Sequence, residues 1–135
     1  MNTHQGMNAY AQIDLQNRVA GATSHQLITM LFEGAHNAIM CAKIYFENGN
    51  VAKRGEMLSK AINIINNGLR ASLDHEKGQG ISQELEFLYE CMSRSLLEAN
   101  MKNMPSLLFH VDELLMSLAA TWKDIEPQTK PVHYG

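Results

Sequence analysis

This chain of 135 residues has little proline, little cysteine and no long apolar run. Its three prolines stand at positions 105, 127 and 131, so nothing interrupts a helix before residue 105, and chain breaks must come mainly from glycine and asparagine. Its two cysteines, Cys41 and Cys91, lie far apart with no CxxC spacing, which excludes a disulfide framework. Both sit among apolar neighbours on helical sequence, and buried, inert thiols are expected there. Lysine and arginine form no cluster, and the formal net charge is -3, so neither nucleic acid nor an anionic membrane surface has electrostatic support as a partner. The most apolar stretch, Leu114 to Ala120, falls far short of the ~20 residues of a membrane span and is flanked by Asp112, Glu113, Lys123 and Asp124. The start, Met1-Asn2-Thr3-His4-Gln5-Gly6, lacks the basic-then-apolar pattern of a signal peptide. A reduced cytoplasmic protein with no membrane insertion is expected.

What the chain does have is helical periodicity. Residues 1–22 carry widely spaced apolar groups (Met7, Tyr10, Ile13, Leu15, Val19) and read as an arm, with at most a short helix near Asp14 to Val19. Thr23 and Gln26 form a capping box and open a helix whose stripe is Leu27, Ile28, Leu31, Ala35, Ala38, Ala42 and Phe46, ended by Asn48-Gly49. A second helix starts at Asn50, with Val51, Leu58, Ile62, Ile65, Leu69 and Leu73 as its stripe, and stops before Gly78-Gln79-Gly80. Met57, Ala61, Ile64 and Gly68 widen its apolar arc, and Gly55 and Gly68 in its interior point to close helix packing. Ser82 is expected to cap the third helix, which runs to about Asn103; Pro105 opens the fourth, with stripe Leu108, Val111, Leu115, Leu118, Trp122 and Ile125. The expected fold is all-α, an antiparallel four-helix bundle over residues 23–126, with the arm or a short extra helix before it and a tail, 127–135, behind.

The third helix has two apolar faces. Leu85, Leu88, Met92, Leu96 and Ala99 cluster on one side, whereas Phe87 and Met101 point about 160° to 200° from Leu85, with Leu97 beside them. One face suffices for a core. On the fourth helix Phe109 and Met116 likewise lie roughly 100° off the stripe. Together these side chains describe a pliable apolar groove or a helix edge covered by the arm.

Catalytic and metal chemistry find little footing. Glu33-Gly34-Ala35-His36 is a single Glu-x-x-His step, whereas a di-iron bundle site needs two, so no metal and no cofactor are expected. His36 and His110 are the two histidines that a helical phosphotransfer or signalling module would use, and that reading is the alternative; neither has the small and basic neighbours that would favour it.

In order and spacing the chain resembles the flagellin export chaperones over nearly its whole length. The resemblance rests on Met7 to Tyr10, on Thr23 followed by Leu27, Ile28, Met30, Leu31, Phe32, Glu33, Gly34 and Ala35, on Lys60-Ala61 with Ile64, Ile65, Leu69, Ser72, Leu73 and Asp74, and on Leu88-Tyr89, Ala99-Asn100 and Trp122. Ser24 where the family has proline, Gly78-Gln79-Gly80 where it has Gly-Gly, and Glu84 where it has asparagine depart from the pattern at caps and turns. The resemblance implies a non-enzymatic cytoplasmic protein that holds the disordered C-terminal segment of flagellin, prevents premature polymerisation and docks, when loaded, on the cytoplasmic domain of the flagellar export gate. It further implies that some members contact the anti-sigma factor of the flagellar regulon. The expected partner-binding residues are Met7, Tyr10, Met57, Ile64, Phe87, Leu97, Met101, Phe109 and Met116.

Overall fold

The structure, a computed structural model, describes residues 15–78 and 80–125. Met7, Tyr10 and the tail lie outside these residues. Within residues 15–27, a short helical run at 15–20 ends where the Gly21 amide donates to Asn17 O and the Ala22 amide to Val19 O. All regular structure among the described residues is helical.

Helix α1 (Ser24–Glu47) begins at the expected capping box: the Gln26 amide donates to Thr23 Oγ1 at 3.1 Å, and the Thr23 amide donates to Gln26 Oε1 at 2.9 Å. It ends where Gly49 adopts φ +71°, a left-handed conformation that glycine takes without steric cost. Asn50 then caps α2 (Val51–Asn63), its Oδ1 accepting from the Lys53 amide at 3.1 Å. Beyond Asn63 the helix does not stop but widens into a π-helix, Ile64–Arg70. This corrects the expectation of one regular helix as far as residue 77. The chain turns at residues 71–72, and the Asp74 carboxylate caps a short helix α3 (His75–Gly78) by accepting from the amides of Glu76 and Lys77, each at 3.1 Å.

Helix α4 (Gly80–Lys102) starts two residues ahead of the expected cap: Ser82 lies inside it, buried, and donates its hydroxyl to the Asp74 carbonyl at 2.9 Å. Asn103 takes φ +52°, the Met104 amide closes the end of α4 on Ala99 O at 2.9 Å, and Pro105 leads into α5 (Ser106–Asp124).

Residues 28–126 form one compact unit, and side-chain links fix its order. Arg54 reaches Asn100 and Asn103, Asn66 meets Ser93, and Arg70 meets Glu86, so α2 with its π extension runs antiparallel to α4. Gly68 faces Leu31 and Gly34 faces Ile64, which lays the π segment against α1. A Cβ added at Gly68 would stand 2.9 Å from Leu31 Cδ2, so close helix approach accounts for this interior glycine. His36 Nδ1 and Asp112 Oδ1 lie 2.7 Å apart and tie α1 to α5. These contacts close α1, α2, α4 and α5 into an antiparallel bundle around Ile39, Leu58, Ile65, Met92, Leu96 and Leu115. Buried Ala35, Ala38, Ala42, Ala61 and Ala99 let the helices approach closely.

Several expected core positions lie outside this centre. Leu27 and Val51, at or near helix starts, are exposed, because the first turn extends past the neighbouring helices. Cys41 is exposed and Cys91 half-buried, since both stand to one side of their helix's buried stripe. His36, read as part of a solvent-facing pair with Glu33, is half-buried through its bond to Asp112.

Candidate functional site

Helix α4 buries Tyr89, Met92, Leu96 and Ala99, a three- and four-residue spacing that fills one stripe. That spacing forces Phe87, Leu97 and Met101 outward, where they are 64%, 52% and 75% exposed. Two solvated pairs, Arg94 to Glu90 at 2.7 Å and Lys102 to Glu98 at 3.0 Å, border them along the helix. Beside Phe87 a cleft of about 590 Å³ opens against Gly80, Gln83, Glu84 and Leu88. Three large side chains exposed on one helix face are more apolar surface than fold stability requires, and such a patch marks a contact area.

At the bundle end that holds Asp74, a cavity of about 670 Å³ is walled by Ile28, Phe32, Leu69, Leu73, Leu85, Tyr89, Leu118 and Trp122. Asp74, Lys77 and Thr121 supply its few polar groups, and exposed Ile81 and Ile125 complete its lining. A largely apolar concavity with polar groups confined to a few positions suits an apolar side chain better than a polar metabolite. Burial pushes the Tyr89 phenol up to about 12. The folded protein therefore keeps this proton at pH values where the unfolded chain has lost it. Stability is full below pH 10 and falls as pH rises towards 12, by about 2 to 3 kcal/mol for such a shift. Urea titrations of the wild type and Tyr89→Phe between pH 9 and about 12 should show this decline in the wild type and its absence in the variant.

The third apolar surface follows the seam between α1 and α5. Exposed Phe109 borders a cleft of about 650 Å³ with Lys43, Phe46, Glu47 and Pro105. Exposed Met116 borders another of about 410 Å³ with Thr29, Phe32, Glu33, His36 and Lys123.

The expected binding residues thus fall into groups. Phe87, Leu97 and Met101 share the outer face of α4; Phe109 and Met116 share the α1–α5 seam; Met57 and Ile64 are half-buried and packed on the core, Ile64 against Gly34. Met7 and Tyr10 are outside the described residues. Sequence reasoning missed the end cavity. Its walls come from every long helix, and Trp122 had been counted only as core; the cluster of Leu73, Ile81 and Ile125 near helix ends was the available sign. Among the described residues no group of three or more His, Cys, Asp or Glu side chains is placed to hold a metal ion, and no helix is long and apolar enough to cross a membrane.

Comparison with known proteins gives these surfaces a family. The model of the family described as flagellar protein FliS matches residues 6–129. The chain is 48% identical to the flagellar secretion chaperone FliS of Salmonella typhimurium, over 95% of both chains. It is 43% identical to the flagellar secretion chaperone FliS of Escherichia coli, over 92% of this chain and 91% of that one. It is also 35% identical to the flagellar secretion chaperone FliSB of Pseudomonas aeruginosa, over 93% and 98% respectively. With three apolar surfaces on an all-helical bundle and a match spanning nearly its full length, the chain belongs to the flagellar protein FliS family.

Proposed function

We propose that the chain is a cytoplasmic flagellar secretion chaperone that holds the disordered C-terminal segment of flagellin on its apolar helical surfaces, prevents premature polymerisation and delivers it to the export apparatus. The observation that carries this reading is the outward row of Phe87, Leu97 and Met101 on a helix whose other face already fills the core. Membership of a family whose relatives are named flagellar secretion chaperones supports it. The protein acts by binding and not by catalysis. The cytoplasmic domain of the export gate as receptor of the loaded complex, and the flagellar anti-sigma factor as a further partner, belong to the same reading.

The energetics suit a carrier. A disordered segment that folds on binding buries about 1,000 to 3,000 Å² and gives back about 2 to 5 kcal/mol in ordering, which keeps the complex reversible. Methionine and phenylalanine side chains accommodate amphipathic sequence without a fixed hydrogen-bond code, so the surface tolerates variation in the cargo.

Titration calorimetry with the C-terminal segment of flagellin tests the reading. Phe87→Ser and Met101→Ser should each weaken binding by about tenfold or more, the loss of one buried large side chain. The double change of His36 and His110 to glutamine should leave affinity intact, as no phosphotransfer step is involved. Wild-type affinity retained by both serine variants would exclude the outer face of α4 as the cargo surface.

A further inference from the structure

The seven residues of the π-helix stand immediately before the cavity wall, and the two are geometrically linked. A π-helix bonds i to i+5 in place of i to i+4, so the segment Ile64–Arg70 absorbs about one residue more than an α-helix of the same length. Because of that extra residue, Leu69 is buried and Leu73 half-buried, both on the cavity. If the same residues were α-helical, everything beyond them would advance by one position, a rotation of about 100°. Gly68 and Ser72 would then occupy the places of Leu69 and Leu73, and the apolar wall would be dismantled.

Contacts on different sides hold the π register. Gly68 accommodates Leu31 of α1, Asn66 Oδ1 accepts from Ser93 Oγ of α4 at 3.0 Å, and Arg70 Nε donates to Glu86 at 3.3 Å. Within the segment's own chain, Ser72 Oγ donates to Gly68 O at 2.6 Å. Against these stands the better hydrogen-bond geometry of the α register, which makes long π runs rare. Two packings separated by a small free-energy gap form a bistable element.

We propose that Ile64–Arg70 is a register switch for the end cavity: in the π register Leu69 and Leu73 form its wall, in the α register the wall is lost, and an apolar segment of the cargo seated there selects the π register. A ligand that contacts Leu69 and Leu73 binds one register better than the other, and that difference sets how far it shifts the equilibrium. The coupling to cargo rests on the chaperone reading, whereas exchange between the registers does not.

Amide hydrogen exchange on the full chain tests both. In the free protein, amides 64–73 should exchange about tenfold faster than those of α2 and of the middle of α4, and should slow on saturation with the flagellin C-terminal segment. Deleting Asn67, an exposed residue of the π segment, removes the surplus residue and permits an α-helix with Leu69 and Leu73 still on the cavity. That variant should be protected to the level of α2 without cargo. Gly68→Ala should act in the opposite sense, because its Cβ meets Leu31 only in the π register; exchange should quicken although alanine is the better helix former. Trp122, the single tryptophan and a cavity-lining residue, should shift its emission to longer wavelength in that variant. Uniform protection across α2, the π segment and α4 in the free wild type would overturn the switch, as would slower exchange in Gly68→Ala. Failure of the segment to bind the wild type at all would overturn the chaperone reading and the cargo coupling, while free-protein exchange alone decides whether the two registers interconvert.

Discussion

Replacing Arg54 by methionine is expected to lower the unfolding free energy by about 3 kcal/mol, which for a domain of this size lowers Tm by roughly 10 °C. Arg54 is 8% exposed, and its printed partners are neutral or aromatic. Its Nε donates to Asn100 Oδ1 at 3.1 Å, one Nη donates to Asn103 Oδ1 at 3.0 Å, and the other donates to the Asn100 carbonyl at 3.1 Å. The guanidinium carbon lies 4.5 Å from the centre of the Phe46 ring. These acceptors stand at the C-terminal end of α4, where unpaired carbonyls concentrate partial negative charge that a cation offsets. Asn103, held at φ +52°, is the residue that turns the chain from α4 towards α5. One side chain thus joins the end of α1, the start of α2 and the α4–α5 turn. Methionine keeps the volume but strands the acceptors in a poorly solvated place, which is the costly side of hydrogen-bond removal. Lysine should rescue little, because a point charge cannot serve three acceptors in a planar fork. Urea unfolding followed by circular dichroism measures the effect, and a loss below about 1 kcal/mol would mean that the site is better solvated than its burial indicates.

Leu96 and Leu97 offer the sharpest contrast in the molecule. Leu96 is 0% exposed at the centre of the bundle, whereas its neighbour Leu97 is 52% exposed on the outer face of α4. Leu96→Ala should cost about 3 to 4 kcal/mol, the transfer free energy of the lost methyl groups plus the cavity they leave. Leu97→Ser should change stability by no more than about 0.5 kcal/mol, since the leucine side chain gains little from folding where it stands. The order reverses in binding. Leu97→Ser should weaken capture of the flagellin segment by about tenfold, while Leu96→Ala, measured at a temperature where it remains folded, should leave capture nearly unchanged. Substantial destabilisation by Leu97→Ser would show that the outer face helps to hold the fold together.

The helical layout was legible because its signals are local. Thr23 with Gln26, Gly49 after α1 and Asn50 before α2 act through backbone groups within a few residues, and each forms the expected cap. The outward row on α4 was legible for the same reason: a period of 3.6 residues fixes which side chains oppose the core. The π segment was not, because its register is decided by contacts with α1 and α4, above all Leu31 on Gly68, that come from distant sequence. The end cavity and the His36–Asp112 link are of that kind also, each assembled from helices far apart in the chain. Met57 and Ile64 show the limit of reading an apolar arc: its edge can face a neighbouring helix, and Ile64 meets Gly34 there. Ser82 shows that a good capping residue is not always used as one, since its hydroxyl donates across the turn to Asp74 instead.

The nine methionines make the central claim directly measurable. In methyl spectra of protein labelled at methionine, Met101 reports the outer face of α4, Met116 the seam with α1, and Met92 the closed core. On titration with the C-terminal segment of flagellin, the Met101 methyl signal should move and saturate at one equivalent, while that of Met92 stays nearly still. Binding of the segment with the Met101 signal unmoved would contradict the account.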